Sequence, residues 1–208
     1  MIKTKICGIT KLVEAEYLNE FLPEYVGFVL FFPKSKRNIS LKQAQEIIRE
    51  LDSSIKKVAV TVSLNLSQLK QIEEAGFDYL QVHGTLFHEV YEQAQIPLIR
   101  AVQADEIWNG AEYREKDKIK GFVFDAKEPG SGKVFDWEQL NQLEKPAGEL
   151  FLAGGLTPDN VAKAIEIVHP DVVDVSSGVE GTDGKDREKI KQFIRQVKMK
   201  NRMVQNEE

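Results

Sequence analysis

Cys7, Asp125, His83 and Arg37 are the side chains whose types could run proton-transfer chemistry on a small anionic molecule. Cys7 stands in "KTKICGIT" and is the only cysteine of the chain. A thiolate is a good base, a desolvated carboxyl keeps its proton as an acid, and a guanidinium grips a carboxylate with two parallel hydrogen bonds. Each residue also has an ordinary reading. A lone cysteine is often a small core residue, a strand-end aspartate often caps a helix or pairs with a cation, and a basic loop is usually solvated. What decides between these readings is whether the fold gathers the residues at one place.

Two late stretches have the composition of an anion cradle. "LAGGLTPDN" carries Gly154 and Gly155, and "VSSGVEGTDGKD" carries Ser176, Ser177 and Gly178. Glycines let backbone N–H groups approach an anion closely, and a following helix start adds favourable dipoles. A third stretch, "FFPKSKRNIS", brings Lys34, Lys36 and Arg37, which suits a second anion.

The elements that must position these residues alternate. Apolar, β-rich runs stand at 4–9, 25–31, 57–62, 78–83, 97–102, 119–125, 149–154 and 171–176. Between them the apolar residues recur at helical spacing, as in Leu41, Ala44, Ile48 and Leu51, or Val161, Ala164, Ile165 and Val168. Ser40 with Gln43, Asn65 with Gln68, and Asp136 with Gln139 have the spacing of capping boxes, and Thr157 before Pro158 marks another helix start. The apolar faces are thinnest at 86–94 and 104–116. Strict alternation predicts a parallel sheet covered by helices, here a single-domain (β/α)₈ TIM barrel over 1–198 with a polar, frayed tail at 199–208. An open doubly wound sheet is the rival, but "CGIT" after the first run is no dinucleotide fingerprint.

Side chains alternate along a strand, so parity assigns faces. The first strand turns Lys3, Lys5 and Cys7 inward; the fourth turns Gln81 and His83; the fifth, Arg100 and Val102; the sixth, Gly121, Val123 and Asp125; the eighth, Val172, Asp174 and Ser176. Lys5, Arg100 and Asp174 are then expected to form an internal ion network, since buried charges need partners. Cys7, His83, Asp125 and Ser176 gather at the carboxyl ends, where barrels of this kind carry their chemistry.

The bulk properties narrow the class. In 208 residues, 42% hydrophobic and 29% charged, there is enough apolar matter for a sizeable core beneath a charged surface. A net charge of −5 gives no general attraction to nucleic acid or anionic membrane. One cysteine excludes an internal disulfide framework and a cysteine-based zinc site, which fits a cytoplasmic protein. The longest apolar run, "YVGFVLFF", is too short to cross a bilayer.

The stretches "KICGIT", "GFVLFFPKSKR", "LQVHG", "FDAKEPGSGKVFDW", "LAGGLTPDNV" and "VDVSSGVEGTDGKD" resemble, in order and spacing, the phosphoribosylanthranilate isomerases of tryptophan biosynthesis. The resemblance runs from Lys3 to about Phe193. It implies a (β/α)₈ barrel that performs an Amadori rearrangement of N-(5-phosphoribosyl)anthranilate without metal or cofactor. It makes Cys7 the general base, Asp125 the general acid and Arg37 the holder of the anthranilate carboxylate. Gly154, Gly155, Ser176, Ser177 and Gly178 fall where the family binds phosphate, and Gln81, His83 and Asp174 where it lines the pocket. The partner is a small phosphosugar, with no nucleic acid or membrane, and the protein a monomer or homodimer. Two stretches depart from the family pattern: Thr61-Val62-Ser63 replaces Phe-Val-Asn, and the loop holding Pro129-Gly130-Ser131-Gly132 is short. Lys5 and His83 are the candidate cations that would favour a thiolate at Cys7. Another phosphosugar isomerase or epimerase, or a catalytically silent phosphosugar-binding barrel, remain the alternatives.

Overall fold

The computed structural model describes residues 1–103, 116–125, 137–142 and 146–207. Eight parallel strands close into one barrel: β1 (Lys3–Cys7), β2 (Tyr25–Val29), β3 (Lys56–Val62), β4 (Tyr79–His83), β5 (Leu98–Gln103), β6 (Ile119–Asp125), β7 (Glu149–Leu152) and β8 (Val172–Val175). Closure is made by β1, which pairs with both β2 and β8. Each strand begins and ends within two residues of the run that predicted it.

The described helices are α1 (Val13–Phe21), α2 (Leu41–Glu50), α3 (Leu66–Glu74), α4 (His88–Gln93), α5 (Val161–Val168) and α6 (Arg187–Glu207). Two of the expected capping boxes are formed. Ser40 and Asn65 each accept a backbone hydrogen bond from the glutamine three residues on, and that glutamine's side chain accepts from the cap N–H. The helix expected over 104–116 and the Asp136 box fall largely or wholly outside the described residues. Between β6 and β7 the described piece is a 3₁₀ run, Trp137–Gln142, with Trp137 and Leu140 buried.

Thr157 does not cap α5 as expected. A turn over 158–160 comes first, and the Asn160 side chain accepts from the Thr157 N–H at 2.8 Å. The expected frayed tail is also different. α6 continues through it, and Asn201 clasps β1's approach by accepting from Ile2 N–H at 2.7 Å and donating to Ile2 O at 2.9 Å. A polar segment is held here by specific bonds that its composition does not announce. None of the described helices is long and apolar enough to cross a membrane.

The sheet separates two apolar layers. Outside it, Ile6, Phe28, Leu80, Val82, Phe122, Phe124 and Val173 pack beneath the helices. Inside it lie Tyr25, Val58, Val60, Ile99, Ala101, Val123, Phe151 and Val172. These assignments match the expected faces of β1, β4, β6 and β8 and reverse that of β5. Ile99 and Ala101 face inward, and Arg100 shares the outer side with Val82 and Phe122, its partners in register. Its Nη1 donates to Val82 O at 3.0 Å, so the internal network does not include it. β5 is apolar on both faces and its register with β6 shifts between Leu98 and Ile99, so parity alone carries little information there.

The amino end of the barrel is plugged. Tyr25 meets Tyr79 and Phe151 edge-on, with centroids 5.7 and 5.4 Å apart, and its hydroxyl donates to Glu149 at 2.8 Å. Lys3 pairs with the same Glu149. Aromatic burial of this kind contributes about 1.5–3 kcal/mol per ring and leaves the polar inward residues at the opposite end.

Candidate active site

At the carboxyl end of the strands lies a cavity of about 160 Å³, enough for several water molecules or part of a small ligand. Cys7 reaches it from the end of β1, Gln81 and His83 from β4, Asp125 from β6, and Asp174 from β8. Arg37 enters from the loop after β2, Gly154 and Gly155 from the loop after β7, and Ser176 and Ser177 from the loop after β8. Val29, Phe32, Val60 and Leu156 give it an apolar wall. Of the residues expected at the site, Gly178 alone does not line this cavity. A Cβ there would come within 1.9 Å of Leu156 O, so glycine lets the β7 and β8 loops touch.

Among the described residues, three buried polar atoms on the cavity lining find no hydrogen-bond partner: Arg37 Nη2, Gln81 Oε1 and Asp174 Oδ1. Buried polar groups are nearly always paired, so orphans that converge on one cavity mark where a ligand's own polar groups would sit. One is a charged donor and two are acceptors.

The loops after β7 and β8 add backbone donors. Gly154 and Gly155 adopt left-handed φ of 83° and 65°, a pair of torsions that side-chain-bearing residues resist. Asn160 fixes this turn by donating to Gly155 O at 2.9 Å. Among the described residues, the N–H groups of Gly154, Gly155, Ser177 and Gly178 have no hydrogen-bond acceptor. The Ser176 hydroxyl is already engaged, donating to Cys7 O at 2.9 Å.

The electrostatics are set by burial and pairing. Lys5, fully buried, lies 2.5 Å from Asp174. Burial alone would drop the Lys5 ammonium, but Asp174 and Cys7 outweigh it and hold it above its ordinary value. Burial pushes the Cys7 thiol up; Lys5 and Lys185 pull it back in part, while Asp174 opposes them. His83 is depressed to about 4 by burial, with Lys5 and Arg100 adding repulsion. It is therefore neutral, and the expectation that it supplies a cation to Cys7 is corrected. Its Nε2 lies 2.8 Å from Gln81 Nε2, a contact that makes the imidazole nitrogen the acceptor.

Two charged residues went unnoticed in the sequence. β9 (Glu180–Gly181) and β10 (Gly184–Lys185) form a small antiparallel hairpin after β8. Glu180 accepts from Arg37 Nε at 2.5 Å, Lys36 at 2.9 Å and Lys185 at 3.1 Å. Its carboxyl is held far below the usual range, since these three cations overcome the opposing effect of burial. The Asp-Gly pair in "GTDGKD" was the available hairpin signal.

The comparisons agree with this geometry. Residues 4–196 match the family model of N-(5'-phosphoribosyl)anthranilate isomerase. The N-(5'-phosphoribosyl)anthranilate isomerase of Streptococcus mutans is 45% identical over 201 residues, covering 95% of this chain and 100% of the relative. The crystal structure of phosphoribosylanthranilate isomerase from Thermotoga maritima matches with a TM-score of 0.79 at 35% identity, covering 95% of this chain and 99% of that one. A phosphoribosylanthranilate isomerase in complex with reduced 1-(o-carboxyphenylamino)-1-deoxyribulose 5-phosphate matches with a TM-score of 0.75 at 34% identity, over 95% and 99% of the two chains. With the barrel, the cavity and its lining residues in place, the chain belongs to the N-(5'-phosphoribosyl)anthranilate isomerase family.

Proposed function

We propose that the chain carries out its family's reaction, the Amadori rearrangement of N-(5'-phosphoribosyl)anthranilate in tryptophan biosynthesis, with Asp125 as acid and Cys7 as base. The observation that carries this reading is that Cys7 and Asp125, from β1 and β6, line one cavity together with three unpartnered polar atoms. The anthranilate carboxylate goes to Arg37 Nη2, beside the ring-sized apolar wall of Phe32 and Leu156. Ribose hydroxyls donate to Asp174 Oδ1 and Gln81 Oε1. The phosphate takes the N–H groups of Gly154, Gly155, Ser177 and Gly178. A relative's complex with a reduced product analogue supports a ligand carrying the same three groups.

Asp125 delivers its proton to the furanose ring oxygen as the C1′–O bond breaks, leaving a Schiff base between C1′ and the anthranilate nitrogen. The Cys7 thiolate then removes the proton from C2′, and the electron pair flows toward nitrogen. The enolamine so formed tautomerises to the ketone. Both steps are proton transfers, for which a positioned acid and base each contribute about 10²–10⁴-fold. The proposed setting is the cytoplasm, where a free thiol stays reduced. The substrate is a phosphosugar, and the proposed chemistry calls on no cofactor.

The test is direct. Purified protein is mixed with freshly generated N-(5'-phosphoribosyl)anthranilate and the fall in anthranilate-type fluorescence is followed. Protein-dependent, saturable conversion is expected; a trace no faster than the buffer's would overturn the reading.

A further inference from the structure

We propose that Lys185 is a positioning residue for Cys7: from outside the cavity it holds the Ser176 segment on which the Cys7 backbone rests and places positive charge beside the thiol. This rests on the reading of Cys7 as the base. Lys185 does not line the cavity, so it would not meet substrate.

Its position is fixed from both ends. The backbone N–H donates to Glu14 Oε1 at 2.7 Å, and the other Glu14 oxygen accepts from Thr10 and Lys11 N–H at 2.7 and 3.1 Å. One buried carboxylate thus ties the hairpin to the segment that follows Cys7. At the other end Nζ, on a side chain only 1% exposed, donates to Ser176 O at 3.0 Å, Ser176 Oγ at 3.3 Å and Glu180 at 3.1 Å. The Ser176 hydroxyl passes the link on to Cys7 O. A buried ammonium is costly unless paired and hydrogen-bonded, and all three of its donors are used here.

The surrounding charges explain why Lys185 matters. On its own strand Cys7 has Lys5, but Asp174 of β8 neutralises it at 2.5 Å. His83 of β4 is neutral, and Asp125 of β6 lines the same cavity. Arg37, Lys36 and Lys185 share one carboxylate, Glu180. Of these, Lys185 is the one whose charge acts on the thiol, opposing the effect of its burial.

Since Cys7 is the only cysteine, thiolate absorbance at 240 nm, taken as a difference against Cys7→Ser, reads this one group. Full-length wild type, Lys185→Met and Lys185→Arg are titrated, with melting curves run on each. Lys185→Met should raise the Cys7 midpoint by about one pH unit and move the acid limb of kcat/KM with it, a loss of about tenfold below the limb. Lys185→Arg should restore both. A folded Lys185→Met protein with the wild-type midpoint overturns the inference. The titration needs no turnover, so it stands even if the wild type fails to convert the substrate; that failure would count against the functional reading alone.

Discussion

The Cys7 sulfur fills the space that any side chain on Gly27 would need. Gly27 is the register partner of Cys7 on β2, and a Cβ there would lie 2.7 Å from Cys7 Sγ and 3.3 Å from Val60 Cγ2. The apolar run "YVGFV" therefore carries a glycine for a reason that concerns the site, not the turn. Gly27→Ala should displace the sulfur from its approach to the substrate. The expected result is a fall in kcat of about 10²-fold, accompanied by a stability loss of about 1–3 kcal/mol from overpacking. Steady-state kinetics and a urea melt on the same preparation check both, and unchanged kcat would show that the sulfur's placement is not critical.

His83 makes stability depend on pH. Its folded value, about 4, lies below the ordinary 6.5, so the unfolded chain binds the extra proton over the interval between them. Stability is therefore unaffected by this group above about pH 6.5 and falls as pH drops toward 4, by up to about 3 kcal/mol. His83→Gln should remove that part of the acid sensitivity. Denaturant melts at pH 7 and pH 4.5 should give a smaller difference for the variant than for wild type; an equal difference would remove His83 as the cause.

Much of this was readable from the chain, and the exceptions have physical reasons. Parity placed Cys7, Gln81, Asp125 and Asp174 at one cavity because their strands have one clearly apolar face each. It failed at β5, where Leu98, Ile99, Ala101 and Val102 are apolar on both sides and Arg100 finds a carbonyl acceptor on the outer face. Glu180 was hidden because its partner Arg37 is distant in sequence and only closure of the barrel joins them, and Lys185 because its link to Ser176 runs across a hairpin that folds back on the end of β8. Ser63 is a milder case. It takes a left-handed φ of 52°, a conformation that the asparagine expected there tolerates better, and its hydroxyl accepts from Thr85 N–H at 2.8 Å.

Arg37 offers one unpartnered nitrogen to the cavity while Glu180 holds the guanidinium from the side. Losing a charge-assisted hydrogen bond costs about 1.5–3 kcal/mol, so Arg37→Ala should raise KM by about 10–100-fold. Because the carboxylate is remote from the reacting carbons, kcat should fall much less. A KM equal to wild type in initial-rate measurements would refute the assignment.

The central claim is that one thiol, lining the same cavity as a carboxyl, takes the proton from C2′. Its most direct test is the kcat of Cys7→Ser, measured beside the affinity of the same variant for a non-reacting product analogue. The hydroxyl keeps the shape and loses the basicity, so the account predicts retained binding with turnover reduced by about 10²–10⁴-fold. Turnover near the wild-type rate would contradict it.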